Sequence, residues 1–211
     1  MTIKTNLNGD TNTPLNILHI EASGRYQNSV SRELGKQIVA KLTKQYPDTV
    51  VVDRDLLTSN VPFINETMIG GYFTPPENQT EAQAASIKVS NEYVEELKAA
   101  DVLVIGAPIY NFSVPGVLKA YFDLISRAGL TFAYTENGPK GLLNPAKKAF
   151  VVVTSGGTPI NSDWDFATRY VIHFLNFLGI SDVEIITADQ TGENTAEKIE
   201  AATVQIEKAI A

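Results

Sequence analysis

Residues 102–115 read Val102-Leu103-Val104-Ile105-Gly106-Ala107-Pro108-Ile109-Tyr110-Asn111-Phe112-Ser113-Val114-Pro115, an apolar run that spills into a polar turn framed by prolines. The first half lacks the alternation of a half-exposed strand, so it reads as a strand buried on both faces. Such strands belong to parallel sheets covered by helices on both sides. Immediately afterwards the apolar spacing becomes helical and stays so to about Arg127.

Working outward, four more short apolar runs appear at 15–20, 49–53, 149–153 and 183–188. Between them lie segments with helical spacing. In 29–46 the positions Val30, Leu34, Ile38 and Leu42 recur every four residues. Further helices are expected at about 79–99, 114–127, 163–178 and 196–210, with Ser113 as N-cap and Pro115 in the first turn of the third. Residues 54–78 read as irregular, with Pro62, Gly70-Gly71 and Pro75-Pro76. In 128–147, Thr131 to Tyr134 can pair locally before the turn signal Glu136-Asn137-Gly138-Pro139.

Strands alternating with helices predict an α/β three-layer sandwich: a five-stranded parallel sheet of order 2-1-3-4-5 with helices on both faces. The 211 residues suit one such domain over 15–211, preceded by a polar tail at 1–14. That tail has no apolar signal segment, and no run approaches the ~20 apolar residues of a membrane span. The expectation is a cytoplasmic protein without a membrane or nucleic-acid partner, since its formal net charge is −7. There is no cysteine, which removes disulfides and thiolate chemistry. The two histidines, His19 in the first strand and His173 in a helix, read as structural, and no metal site is expected.

In a sheet of this kind ligands sit beyond the carboxyl ends of the strands, near the switch between strands one and three. After strand one, Ser23, Asn28, Ser29 and Ser31 supply more hydroxyl and amide groups than one helix cap uses. A helix start carrying them would hold a phosphate without lysine, although ordinary capping uses the same residue types. Neither G-x-x-x-x-G-K-[ST] nor G-x-G-x-x-G is present. After strand three, the proline-braced Ile109-Tyr110-Asn111-Phe112 can lie against a flat heterocycle. After strand four comes Thr154-Ser155-Gly156-Gly157, whose glycines allow close backbone approach or positive φ.

Taken together, Pro108-Ile109-Tyr110-Asn111-Phe112, then Leu118-Lys119-Ala120-Tyr121-Phe122-Asp123, Arg127-Ala128-Gly129-Leu130-Thr131-Phe132 and 134–142 resemble the FMN-dependent NAD(P)H:quinone oxidoreductases and azoreductases of the flavodoxin-like fold. The resemblance implies that Ser23, Ser29 and Ser31, with Val30 among them, hold the phosphate and ribityl of a tightly bound FMN. It implies that Pro108, Ile109, Tyr110, Asn111 and Phe112 line the ring, and that Thr154, Ser155, Gly156 and Gly157 close over its other edge. Azoreductases often carry Ser-Arg-Gly-Gly in this last loop. This chain has no arginine there on which a preference for acidic dyes or for the NADPH phosphate would rest.

The implied reaction is two-electron, ping-pong hydride transfer from NADH or NADPH through the flavin N5 to a quinone or azo compound, with no catalytic side chain required. Such enzymes are homodimers with active sites at the subunit interface. Phe112, Phe132, Tyr134 and Trp164 are candidates for the apolar walls of the substrate pocket, with core packing the favoured reading for Trp164. Tyr121 and Phe122 read as packing residues. The alternative is a non-catalytic, flavodoxin-type electron carrier, against which the 54–78 excursion and the aromatic 128–142 connection speak.

Overall fold

The computed structural model describes residues 14–211, so the expected tail lies, Pro14 apart, outside the described residues. In chain order the elements are β1 (Asn16–Glu21), α1 (Val30–Gln45), β2 (Val50–Asp55), α2 (Glu66–Phe73), α3 (Glu81–Ala99), β3 (Val102–Pro108) and α4 (Gly116–Ile125). They continue with β4 (Phe132–Thr135), β5 (Gly138–Gly141), β6 (Lys148–Thr154), α5 (Ala167–Leu178), β7 (Asp182–Ala188) and α6 (Thr195–Ala209).

Five strands form one parallel sheet in the order β2-β1-β3-β6-β7. The strand numbers differ from the expected 2-1-3-4-5 because an antiparallel hairpin, β4–β5, interrupts the chain before β6 and stays outside that sheet. Its turn is the Glu136-Asn137 pair, followed by Gly138 at φ +98°.

The two-residue period of the strands splits the core into two layers. Val102 and Val104 join Phe150 and Val152 in packing on Leu34, Ile38 and Leu42 of α1 and on Ala202 and Ile206 of α6. Their neighbours Leu103, Ile105, Val151 and Val153 pack on the other face, against Val94, Leu97, Leu118, Phe122 and Val171 of α3, α4 and α5. Each such aliphatic side chain contributes roughly 1.5–3 kcal/mol on burial, so a one-residue slip of β3 would exchange the two layers and is excluded. Tyr121 and Phe122 are packing residues, and Phe122 stacks on Phe174 at 4.1 Å.

Three expectations change. The 54–78 segment is not wholly irregular: Asn65 accepts a hydrogen bond from the Met68 amide at 3.0 Å and starts α2. Helix α4 begins at Gly116 rather than Val114, because Ser113 exchanges backbone hydrogen bonds with Tyr110 and does not act as a cap. Helix α5 begins at Ala167, where the buried Asp165 carboxylate accepts from the Ala167 and Thr168 amides and from Thr168 Oγ1. Burial alone would raise the Asp165 pKa, but these bonds and one from the Asn161 amide hold it below its usual value.

His19 is buried in β1, with Nδ1 2.8 Å from Asp53 and Nε2 3.0 Å from Glu21. His173 lies exposed on α5. Among the described residues no helix is long and apolar enough to cross a membrane.

Candidate functional site

The carboxyl ends of β1, β3, β6 and β7 converge on a hollow of about 100 Å³. That is room for about three water molecules at ~30 Å³ each, suited to a phosphate head rather than to a whole flavin. It is lined by Ser23, Ser29, Val30 and Ser31 from the first loop, Pro108, Ile109 and Tyr110 from the second, and Thr154, Ser155 and Gly156 from the third. With Asn28, eleven of the residues singled out in the sequence therefore meet around one point.

The serines form a buried cluster. Ser29 Oγ donates to Ser23 Oγ at 2.9 Å and lies 3.3 Å from Ser31 Oγ. Ser29 is the N-cap of α1, yet its hydroxyl accepts no bond from a backbone amide of the helix, which departs from ordinary capping. The first intrahelical bond is Glu33 N to Ser29 O, so the amides of Val30, Ser31 and Arg32 have no acceptor in the helix. Three hydroxyls, free amides and the positive end of the α1 dipole fit a phosphate dianion. FMN therefore fits the residues present.

The loop is braced from beneath. Arg32 donates through Nη2 to the Ser23 carbonyl at 2.8 Å and through Nε to the Arg25 carbonyl at 3.0 Å, while pairing with Asp55. From above, the Tyr110 hydroxyl accepts from the Gly24 amide at 3.1 Å and lies 3.4 Å from Ser23 Oγ. The Tyr110 side chain thus ties the second loop to the first, which its expected place against a flat ring did not foresee.

The opening turn is now explained. Tyr110 N donates to Ser113 O and Ser113 N to Tyr110 O, closing a two-residue turn with Asn111 at φ +48° and Phe112 at φ +73°. Tight turns of this hand need positive φ at both central residues and favour Asn-Gly. Phenylalanine at the second position is strained by about 1–2 kcal/mol. The strain turns both side chains outward: Asn111 is exposed and Phe112 is 45% exposed. Neither lines the hollow.

Gly156 and Gly157 do not use positive φ, but a Cβ added at either would meet nothing within 4 Å, so open space faces both. The Ser155 hydroxyl donates to the Thr158 carbonyl and accepts from the Gln190 amide at 3.3 Å. Gly157 lies outside the lining of the hollow. Of the substrate-wall candidates, Trp164 is 64% exposed, contrary to core packing, and meets Phe112 edge-on at 5.4 Å. The Phe166 amide, two residues on, donates to the Phe112 carbonyl and fixes that pairing. Phe132 is buried on Phe177 of α5 at 4.7 Å and backs the 77% exposed Tyr134 at 5.3 Å.

Two lining residues were not among the sequence candidates: Arg25 and Thr191. Thr191 gave no signal. It reaches the site because β7 lies beside β6, where its amide and hydroxyl both donate to the Ser155 carbonyl.

A family model described as flavodoxin-like fold matches residues 15–210. The chain is 48% identical over 174 residues to an FMN-dependent NADH:quinone oxidoreductase of Hahella chejuensis, covering 82% of this chain and 84% of the relative. It is 52% identical over 174 residues to one of Jannaschia sp., covering 82% and 87%. Among solved structures it is similar to an FMN-dependent NADH-azoreductase from Bacillus anthracis in complex with FMN, with a TM-score of 0.84, 29% identity and coverage of 93% and 97%. The chain belongs to the flavodoxin-like fold family, within the FMN-dependent NADH:quinone oxidoreductases.

Proposed function

We propose that this protein is an FMN-dependent NADH oxidoreductase reducing quinones and azo compounds, and that it works in the cytoplasm as a homodimer. One observation carries the cofactor: a lysine-free cluster of buried serine hydroxyls at the start of α1, with unspent amides beside it. Enzymes are the named relatives over most of the chain, so the electron-carrier alternative has no support.

When bound, FMN supplies the two-electron hydride chemistry between NADH and the acceptor. In our reading Ser23, Ser29, Val30 and Ser31 hold its phosphate and ribityl. Pro108 to Phe112 offer the ring a rigid wall, and Thr154 to Gly157 leave backbone-wide clearance on its other edge. The outward Phe112 and Trp164 supply an apolar surface for the acceptor. Tyr134, backed by Phe132 and exposed on the hairpin, suits a wall presented to a second protomer. None of the three loops contains histidine, and no side chain is asked to move a proton.

The test is direct. The purified protein is expected to be yellow, to release FMN on denaturation, and to oxidise NADH only when a benzoquinone is present. Sedimentation should give twice the chain mass. A colourless protein that takes up no added FMN would defeat the reading.

A further inference from the structure

A second cavity, of about 550 Å³, lies between α2, α3 and the segment after α4, and shares no lining residue with the serine hollow. Its volume falls within the roughly 300–1,000 Å³ of small-molecule pockets. Arg127 is in its wall and is only 7% exposed. The guanidinium is held by neutral groups alone. Its Nη1 donates to Ser90 Oγ at 2.7 Å and to Asn91 Oδ1 at 2.9 Å, and its Cζ lies 4.0 Å from the Tyr72 ring centre.

No carboxylate among the described residues comes within 4 Å of this cation. Glu95, which also lines the cavity, is instead paired with Lys98 at 3.1 Å. Buried arginines are ordinarily matched by an anion, because desolvating an unpaired charge is costly. Burial accordingly pushes the Arg127 pKa down, and the Tyr72 phenol offsets this only in part.

Two sets of hydrogen-bonding atoms are left over on residues of the cavity wall. The two hydrogens of Nη1 are spent on Ser90 and Asn91. The Nε–Nη2 edge, the fork that matches a carboxylate in two parallel bonds, has no acceptor among the described residues. The Tyr72 hydroxyl is buried with no hydrogen-bond partner, where buried polar groups nearly always have one. The remaining wall includes Ile87, Val94 and Leu130, which are apolar.

We propose that this cavity is a binding site for a small organic carboxylate with a ring-sized apolar body. The carboxylate sits on the Nε–Nη2 edge of Arg127 and takes a further hydrogen bond from Tyr72, and the body rests on Ile87, Val94 and Leu130. The site is separate from the flavin pocket and does not depend on the reading of that pocket.

Titration calorimetry on the FMN-loaded protein, with benzoate as probe and neutral benzamide as control, tests it. One benzoate per chain is expected, with benzamide at least tenfold weaker and the visible flavin spectrum unchanged. Tyr72→Phe removes a hydroxyl that has no partner to lose. It should leave the Tm and quinone turnover unaltered yet weaken benzoate about tenfold, the size of one hydrogen bond to a charged group. Arg127→Lys, which keeps the charge but not the fork, should weaken it more; if that variant does not fold, Tyr72→Phe alone decides. Absence of saturable benzoate binding at millimolar concentrations, or equal affinity in the Tyr72→Phe variant, overturns the proposal. So does binding that is lost in Phe112→Ala and shifts the flavin spectrum.

Discussion

Arg32 and Asp55 form a two-pronged ion pair, Nη1 to Oδ2 at 2.9 Å and Nη2 to Oδ1 at 3.1 Å, that ties the first turn of α1 to the end of β2. Arg32 also holds the carbonyls of Ser23 and Arg25. Burial would lower its pKa, but Asp55, together with Glu21 and Tyr26, outweighs that and raises it. With those carbonyls engaged beneath the loop, its shape is set before any ligand arrives.

The pair therefore matters for cofactor binding rather than for chemistry. Arg32→Ala should weaken FMN by roughly 10- to 100-fold, for a loss of about 1.5–3 kcal/mol per hydrogen bond to a charged group, partly recovered by relaxation. Asp55→Asn should do less, since Arg32 keeps its carbonyl partners. Quenching of flavin fluorescence on titration measures both, and unchanged affinity in Arg32→Ala would remove the brace from the account.

If Ser29 serves the phosphate, Ser29→Ala should discriminate between two flavins. FMN affinity is expected to fall by about tenfold or more, while riboflavin, which lacks the phosphate, binds as before. Equal losses for both would mean that Ser29 shapes the loop instead.

Asn111 separates conformation from contact. At φ +48° asparagine is tolerated, glycine is at ease, and alanine costs about 1 kcal/mol more. Asn111→Gly should keep thermal stability near that of the parent and still weaken flavin, because the amide is gone. Full rescue of flavin binding by glycine would assign the residue to the turn alone. His173→Ala, on the exposed face of α5, should change neither quantity.

His19 gives a pH dependence of known sign. Burial lowers its pKa, but Glu21 and Asp53 raise it further, and the net value lies above 6.5. The folded state therefore binds this proton more tightly than the unfolded chain. The stability it contributes is full below pH ~6.5 and is lost as pH rises through the folded pKa. Urea midpoints should fall over that range, and His19→Gln should flatten the slope. A slope identical in both proteins would show that other groups set it.

Much of this was legible along the chain. The double-faced burial of β3 needs seven consecutive positions without a charge, and Val102 to Pro108 display them. Serines at 23, 29 and 31 were visible as a surplus over the one a single cap uses, and the structure gathers their hydroxyls into one buried cluster. The β4–β5 hairpin was visible in its turn residues. Where the reading failed, the deciding partner was distant in sequence. Ser113 looked like a helix cap until Tyr110 took both of its backbone groups. Trp164 looked like core until Phe112, turned outward by a strained turn, gave it a surface partner.

What the sequence determined by itself is the alternation of buried strands and amphipathic helices, and hence which loops share one edge of the sheet. Local spacing encodes burial, and burial drives the layers together. What only the tertiary structure decided is how groups far apart in the chain complete one another. Arg32 finds Asp55 and two carbonyls, Thr191 reaches Ser155 from a neighbouring strand, and Arg127 is closed in by α2 and α3 without an acid. Hydrogen bonds and charge pairs act over a few ångströms in space, and distance along the chain carries no record of them.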